Sequence, residues 1–229
     1  LSEPPRSNLL QPQLPECLSE HSLMPVDKHS GWCDMRGRRK YMEDTTAVGH
    51  SLNFNYNYYA VFDGHYGIRA ANFASRNLRS FIDDELARLS YENNSSIDAV
   101  NNTAIEKALS RAFVQLDESY IAYEDVLQAK YYNNTNPEYP NTAPDRLRSF
   151  RNSGSTITSV VLFPSLDMMA SSALSIEYST VYVANIGDSH AILCCDKSGL
   201  GLLLTTDHTP YNDEEKERVH AAGGFVDEG

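Results

Sequence analysis

The sequence predicts an α+β fold, with helices laid on antiparallel sheets, and three observations predict it. Short β-type runs open the ordered region, two long segments with helical periodicity follow, and short β-type runs then return. Strands and helices are therefore segregated along the chain. At 229 residues, 41% of them hydrophobic and 22% charged, the chain is long enough for one domain with a sizeable core.

The elements run as follows. Residues 1–30 carry Pro4, Pro5, Pro12, Pro15 and Pro25 among polar neighbours, which predicts an extended or partly disordered N-terminal extension. Structure is expected from near Trp32, as one domain over 31–229. A short strand is expected at Thr45–His50. The run Tyr58-Tyr59-Ala60-Val61-Phe62 reads as a buried strand that stops at Asp63-Gly64-His65. A helix follows from Ile68 to Leu89, with Ala71, Ala74, Leu78, Ile82, Leu86 and Leu89 on one face. Ser95 and Asp98 suggest a capping box for a second helix. Its stripe runs through Ile97, Val100, Ala104, Ala108, Leu109, Ala112, Phe113 and Leu116, toward Gln128. Residues 130–152, rich in Tyr, Asn and Pro, read as a loop. β-type runs then occupy Ser155–Phe163, Thr180–Ile186, His190–Cys195 and Gly201–Thr206. Gly187-Asp188-Ser189 is expected to join two of them as a hairpin. A last helix starts at the N-cap Asn212, carries Asp213, Glu214 and Glu215 in its first turn, and stops at Gly223-Gly224.

Charge and composition exclude several classes. The net charge is -12, which argues against a nucleic-acid backbone as partner. One local phosphate site remains compatible, because a few arginines or a metal reverse the local field. Cys17, Cys33, Cys194 and Cys195 form neither a disulfide framework nor a zinc pattern, so reduced thiols in a cytoplasmic or nuclear protein are expected. No apolar run approaches a membrane span, and no signal-peptide core is visible. The chain begins at Leu1, so a natural start upstream is expected.

Two acidic strand ends carry the chemistry: Arg39-Lys40-Tyr41-Met42-Glu43-Asp44, and Asp63-Gly64-His65. If they converge at one sheet edge, their carboxylates repel, and a hard divalent cation relieves the repulsion. Oxygen ligands favour Mg²⁺ or Mn²⁺ over Zn²⁺. Gly64 permits close backbone approach, so its carbonyl is a candidate ligand. Arg39 is a candidate phosphate fork and His65 a candidate proton donor. Each residue also has a bland reading. Glu43 and Asp44 suit a solvated turn, Asp63-Gly64 a strand-ending turn, Arg39 one surface charge among several, and His65 a structural imidazole.

Taken together, Arg39-x-x-Met42-Glu43-Asp44 and Val61-Phe62-Asp63-Gly64-His65 resemble the two opening motifs of the type 2C, metal-dependent serine/threonine protein phosphatases. Ser153-Gly154-Ser155-Thr156 resembles that family's Ser-Gly-Ser-Thr strand start, and Asn185-Ile186-Gly187-Asp188-Ser189 its Gly-Asp-Ser turn. Thr206-Asp207-His208-Thr209-Pro210, with Glu215–Val219 and Ala222-Gly223-Gly224, resembles its Asp-His-x-Pro loop and following helix. The resemblance implies a central antiparallel β-sandwich flanked by helices and a site for two Mg²⁺ or Mn²⁺ ions. It implies that Asp63 bridges the ions, that Glu43 and the Gly64 carbonyl serve one of them, and that Asp44 reaches it through water. It also implies that Arg39 binds the phosphate of a phosphoprotein substrate, that His65 is the general acid, and that water activated between the ions attacks phosphoserine or phosphothreonine.

Three departures stand against the pattern. The family's later Asp-Gly and Asp-Asn motifs do not occur before Gly229, so the domain is expected to be incomplete at its C-terminus. Arg151 occupies a position where many members carry an Asp that helps bind a third metal. His190 replaces a usual Arg, and Tyr66 a usually small residue; packing or substrate access is the expected effect of both.

Rival readings are a thiol phosphatase, from the Cys33-x5-Arg39 spacing, and a serine esterase at Gly187-Asp188-Ser189. The first lacks a His before Cys33 and places Asp34 in the loop; the second lacks a strand-to-helix elbow. The serious alternative is a catalytically inactive pseudophosphatase acting as a binding or scaffold module. Arg151 and the missing rear aspartates favour it; retention of Arg39, Glu43, Asp44, Asp63, Gly64 and His65 opposes it, since unpaired clustered carboxylates cost stability.

Overall fold

The computed structural model describes residues 30–92, 102–134, 153–164, 178–194 and 198–227. β1 (Thr45–Ser51) and β2 (Tyr56–Phe62) pair antiparallel, from Thr45↔Phe62 to Ser51↔Tyr56. The two-residue β3 (Gly64–His65) precedes α1 (Arg69–Glu92) and α2 (Asn102–Asn134). Next come β4 (Gly154–Ser155), β5 (Ile157–Pro164), β6 (Tyr178–Ile186), β7 (Ile192–Cys194) and β8 (Gly201–Leu203), and then α3 (Asp213–Ala221). One antiparallel sheet has the order β1-β2-β5-β6; β3 pairs with β4, and β7 with β8.

Period-two alternation explains which face of β2 the helices cover. Tyr56, Tyr58, Ala60 and Phe62 are all buried, while Val61 between them is exposed. They meet Ala71, Ala74, Leu78, Ile82 and Leu86 of α1 in one core, together with Ala108, Leu109, Ala112 and Leu116 of α2. Each large apolar side chain fully buried there contributes about 1.5–3 kcal/mol. Glu85, 3% exposed, lies between the two helices. Gln115 donates to it at 2.6 Å, Arg88 pairs with it at 2.6 Å, and Arg111 stands 3.8 Å away. A buried carboxylate is tolerated when paired in this way.

The α+β class stands, the first helical stripe faces the core as expected, and so does the second from Ala104 to Leu116, its Ile97 and Val100 lying outside the described residues. Four local readings are corrected. Gly187-Asp188-Ser189 does not close a hairpin: β6 belongs to the four-stranded sheet, whereas β7 turns away and pairs with β8. The run expected at Ser155–Phe163 breaks at Thr156, because Ser155 pairs with Gly64 while Ile157 pairs with Ile186. α2 continues to Asn134, so residues 130–134 are helical rather than loop. β7 and β8 are also shorter than expected, leaving His190 and Thr206 outside the ladder. The expected cap at Ser95 and Asp98, and residues 135–152, lie outside the described residues, as does the N-terminal extension up to residue 29. α3 starts as expected: the Asn212 side chain accepts from the Glu214 and Glu215 N–H groups. It stops where Gly223 takes φ 82°.

Candidate metal and phosphate site

The site begins where β2 ends. After Phe62 the chain leaves the main sheet, and the Asp63 carbonyl accepts a 2.9 Å hydrogen bond from the Thr156 N–H. Gly64 and His65 then pair with Ser155 and Gly154. A Cβ on Gly64 would lie 2.3 Å from the Glu43 carbonyl oxygen and 3.2 Å from the Ala71 Cβ. Only glycine permits this approach, which presses the Glu43-Asp44 segment onto the Asp63-Gly64-His65 turn. Two motifs distant in sequence thus become one surface.

Beyond His65, Tyr66 takes φ 58° and Gly67 φ 114°, a strained reversal for the tyrosine. Ser153 holds it. Its hydroxyl donates to the Gly67 carbonyl at 2.8 Å and accepts from the Ala70 N–H at 3.1 Å, so it satisfies one of the free N–H groups of the first turn of α1.

The other motifs converge on the same strand. At Gly187, φ is 92°, and a Cβ there would meet the Thr156 Cβ at 2.6 Å. Thr156 and Ser189 share a hydroxyl–hydroxyl hydrogen bond of 2.8 Å, and the Thr158 hydroxyl donates to the Ser189 carbonyl at 2.8 Å. The His208 N–H donates to the Gly187 carbonyl at 3.0 Å, and the Asn185 amide to the Thr206 carbonyl at 3.0 Å. His190 and Asp207 pair at 2.7 Å. The Ser-Gly-Ser-Thr, Gly-Asp-Ser and Asp-His-x-Pro segments are therefore one hydrogen-bonded support for the Asp63 turn.

Electrostatically, Asp63 is a strained carboxylate. Burial raises its pKa above the ordinary value, His65 pulls it back, and the Asp44 and Asp188 carboxylates raise it further. Asp188 was read from sequence only as a turn residue; the signal that marked it was its place in the Gly-Asp-Ser motif. The His65 Nδ1 lies 3.2 Å from the Asp63 carbonyl and 3.7 Å from its carboxylate. Since a carbonyl only accepts, Nδ1 is the donor in the contact with the Asp63 carbonyl. Glu43 is partly buried and Asp44 exposed. Arg39 stands on an exposed turn, with its N–H on the Arg36 carbonyl at 3.3 Å.

The donor set suits a hard cation: it is all oxygen, and Asp63 and Asp44 repel each other. It is also partial. Among the described residues, no three His, Cys, Asp or Glu side chains are grouped so as to hold an ion. Among them too, no helix is long and apolar enough to cross a membrane.

Comparison with known proteins identifies the family and the fold. The family model described as "Protein phosphatase 2C" matches residues 28–229. A rice protein, "Probable protein phosphatase 2C 57" of Oryza sativa subsp. japonica, is 32% identical over 218 residues, covering 90% of this chain and 45% of its own length. "Protein phosphatase 1B" of Mus musculus is 30% identical over 201 residues, covering 86% of this chain and 42% of its own. The chain thus spans about half the length of the curated relatives it matches. A solved C. elegans sex-determining protein shares the fold, with TM-score 0.52 and 20% identity over 84% of this chain and 38% of that one. On the family match over 28–229, the chain belongs to the protein phosphatase 2C family.

Proposed function

We propose that the protein hydrolyses phosphoserine and phosphothreonine in protein substrates, with Mg²⁺ or Mn²⁺ as cofactor. The observation that supports this reading is the Gly64 contact, which lays the Glu43 backbone against the Asp63-Gly64-His65 turn, with Asp44 and His65 near enough to act on the Asp63 carboxylate. Asp63, Glu43, Asp44 and the Gly64 carbonyl would hold the metal. The bound ions would supply a nucleophile from water at neutral pH and neutralise charge on the phosphoryl oxygens.

The chain's own residues do the rest. The Arg39 guanidinium, unobstructed on its turn, offers parallel N–H donors to two phosphate oxygens and so fixes the phosphate's orientation. His65, its Nδ1 hydrogen turned to the Asp63 carbonyl, presents a protonated Nε2 to the departing serine or threonine oxygen. The Ser153 and Thr156 hydrogen bonds keep the turn from relaxing when its carboxylates repel.

Hydrolysis of a phosphothreonine peptide by the full-length gene product, with Mn²⁺, with EDTA and with Asp63→Asn, tests the proposal. Turnover that needs Mn²⁺ and is lost in Asp63→Asn is expected. Full activity in EDTA would refute the metal-dependent reading. One observation favours the pseudophosphatase alternative: no three-ligand group exists among the described residues. A folded full-length protein without turnover would select it.

A further inference from the structure

We propose that the groove between α1, α2 and β4 is a docking site for a basic, apolar-rich peptide segment of a partner protein. The groove is a cavity of about 530 Å³, within the roughly 300–1,000 Å³ range of binding sites. Phe73 and Ala74 of α1, Phe113, Leu116 and Ile121 of α2, and Ile157 of β5 give it apolar walls. Ile121 is 54% exposed, so the apolar surface reaches the mouth.

The rim sets the sign of the partner. Asp117, Glu124 and Asp125 line the groove, and no Lys or Arg is among the described lining residues. Arg69 is engaged with Glu124 at 3.1 and 3.3 Å. The carboxylates follow one flank of α2. Asp117 to Asp125 is about 12 Å at 1.5 Å per residue, a span that several extended peptide residues cover and a single ion does not. Apolar walls beneath a one-signed acidic flank call for bulky apolar side chains alternating with Arg or Lys.

The Tyr120 hydroxyl, in the wall, has the Ser153 hydroxyl and the Glu124 carboxylate beside it. Burial pushes the Tyr120 phenol up to about 12, so it stays an O–H donor at neutral pH.

The groove is separate from the carboxylate site yet touches its support. Neither Asp44 nor Asp63 lines it, but Ser153, Gly154 and Ser155 do, and Gly154 pairs with His65. Occupancy would reach His65 through β4. That consequence rests on the phosphatase reading; binding itself does not.

Fluorescence anisotropy of the whole 229-residue chain tests it, with labelled Arg-Leu-Arg-Phe-Arg amide as probe and Glu-Leu-Glu-Phe-Glu amide as control. The basic probe binds and the acidic one does not. Asp117→Lys with Asp125→Lys weakens binding by about tenfold or more, and Ile121→Glu removes it, with far-UV melts like the parent's. All three substitutions lie at exposed positions, and the two-probe comparison needs no variant. Equal binding of both probes, no binding of either, or indifference to the Asp117 and Asp125 changes would overturn the proposal. So would basic-probe binding that appears only after Arg146, Arg148 and Arg151 are replaced by Ser, which would give the groove to this chain itself.

Discussion

Gly64→Ala is the sharpest perturbation, because two effects of opposite sign compete at that position. The φ of Gly64 is not in the left-handed region, so alanine meets no backbone strain there. If the site were open, alanine would stabilise the fold by about 0.4–1 kcal/mol through the unfolded chain. The site is closed: the new Cβ would sit 2.3 Å from the Glu43 carbonyl oxygen, against 3.4 Å for ordinary contact. The two segments must separate by about 1 Å, and neither is a flexible side chain. Overpacking of that kind costs about 1–3 kcal/mol. The net expectation is a loss of about 1–2 kcal/mol, read from the urea midpoint at unchanged slope. The same 1 Å shift moves Glu43 and Asp44 away from Asp63. If the proposed site binds Mn²⁺, saturating metal would raise the parent's stability by about 2.7 kcal/mol at 100 times Kd, and in Gly64→Ala that rise should shrink or vanish. A Gly64→Ala chain as stable as its parent, with its Mn²⁺ response intact, would refute the claim that this contact builds the site.

The other predictions follow from single contacts. Asp63→Asn should melt higher than the parent in EDTA at neutral pH and lose protection by Mn²⁺. The folded pKa of Asp63 is raised, so stability falls as pH climbs from the ordinary carboxylate value through the raised one, and above that window the ionised group is destabilising. A lower melting temperature in EDTA would contradict this sign. Ser153→Ala removes the hydroxyl that bridges Gly67 and Ala70 and should cost about 1 kcal/mol in a urea titration; an unchanged midpoint would leave the reversal at Tyr66-Gly67 without its clamp. Tyr58 is buried, with its hydroxyl unpartnered among the described residues. Tyr58→Phe should therefore be neutral or stabilising by about 1 kcal/mol, and a clear loss in calorimetry would show that the hydroxyl has a partner.

Much of the local structure was legible because its causes are local. The α1 stripe from Ala71 to Leu89 recurs at helical spacing, and all six of its expected residues are buried. Asn212 caps α3 by reaching N–H groups two and three residues on. Glu85 was not legible: a carboxylate inside an apolar stripe looks solvated until Gln115 and Arg111 of another helix are known to surround it. Asp188 escaped the list of site residues for the same reason, since its influence on Asp63 crosses between segments. The expected hairpin failed at Gly187. Its turn was readable, and its positive φ agrees, but turn chemistry does not say which strand the outgoing chain will pair with.

The sequence by itself determined the helical stripes, the Asn212 cap of α3, the strand that ends at Asp63 and the identity of the motif residues. Periodicity and capping act over a few residues, and a motif is a matter of residue type. The tertiary structure alone decided that Gly64 lies against Glu43, that Gly154-Ser155 pairs with Gly64-His65, and that β7 leaves β6 for β8. Alternation along a strand fixes which side chains are buried. It carries no information about which distant strand supplies the hydrogen bonds, because that choice is made by packing across the whole core.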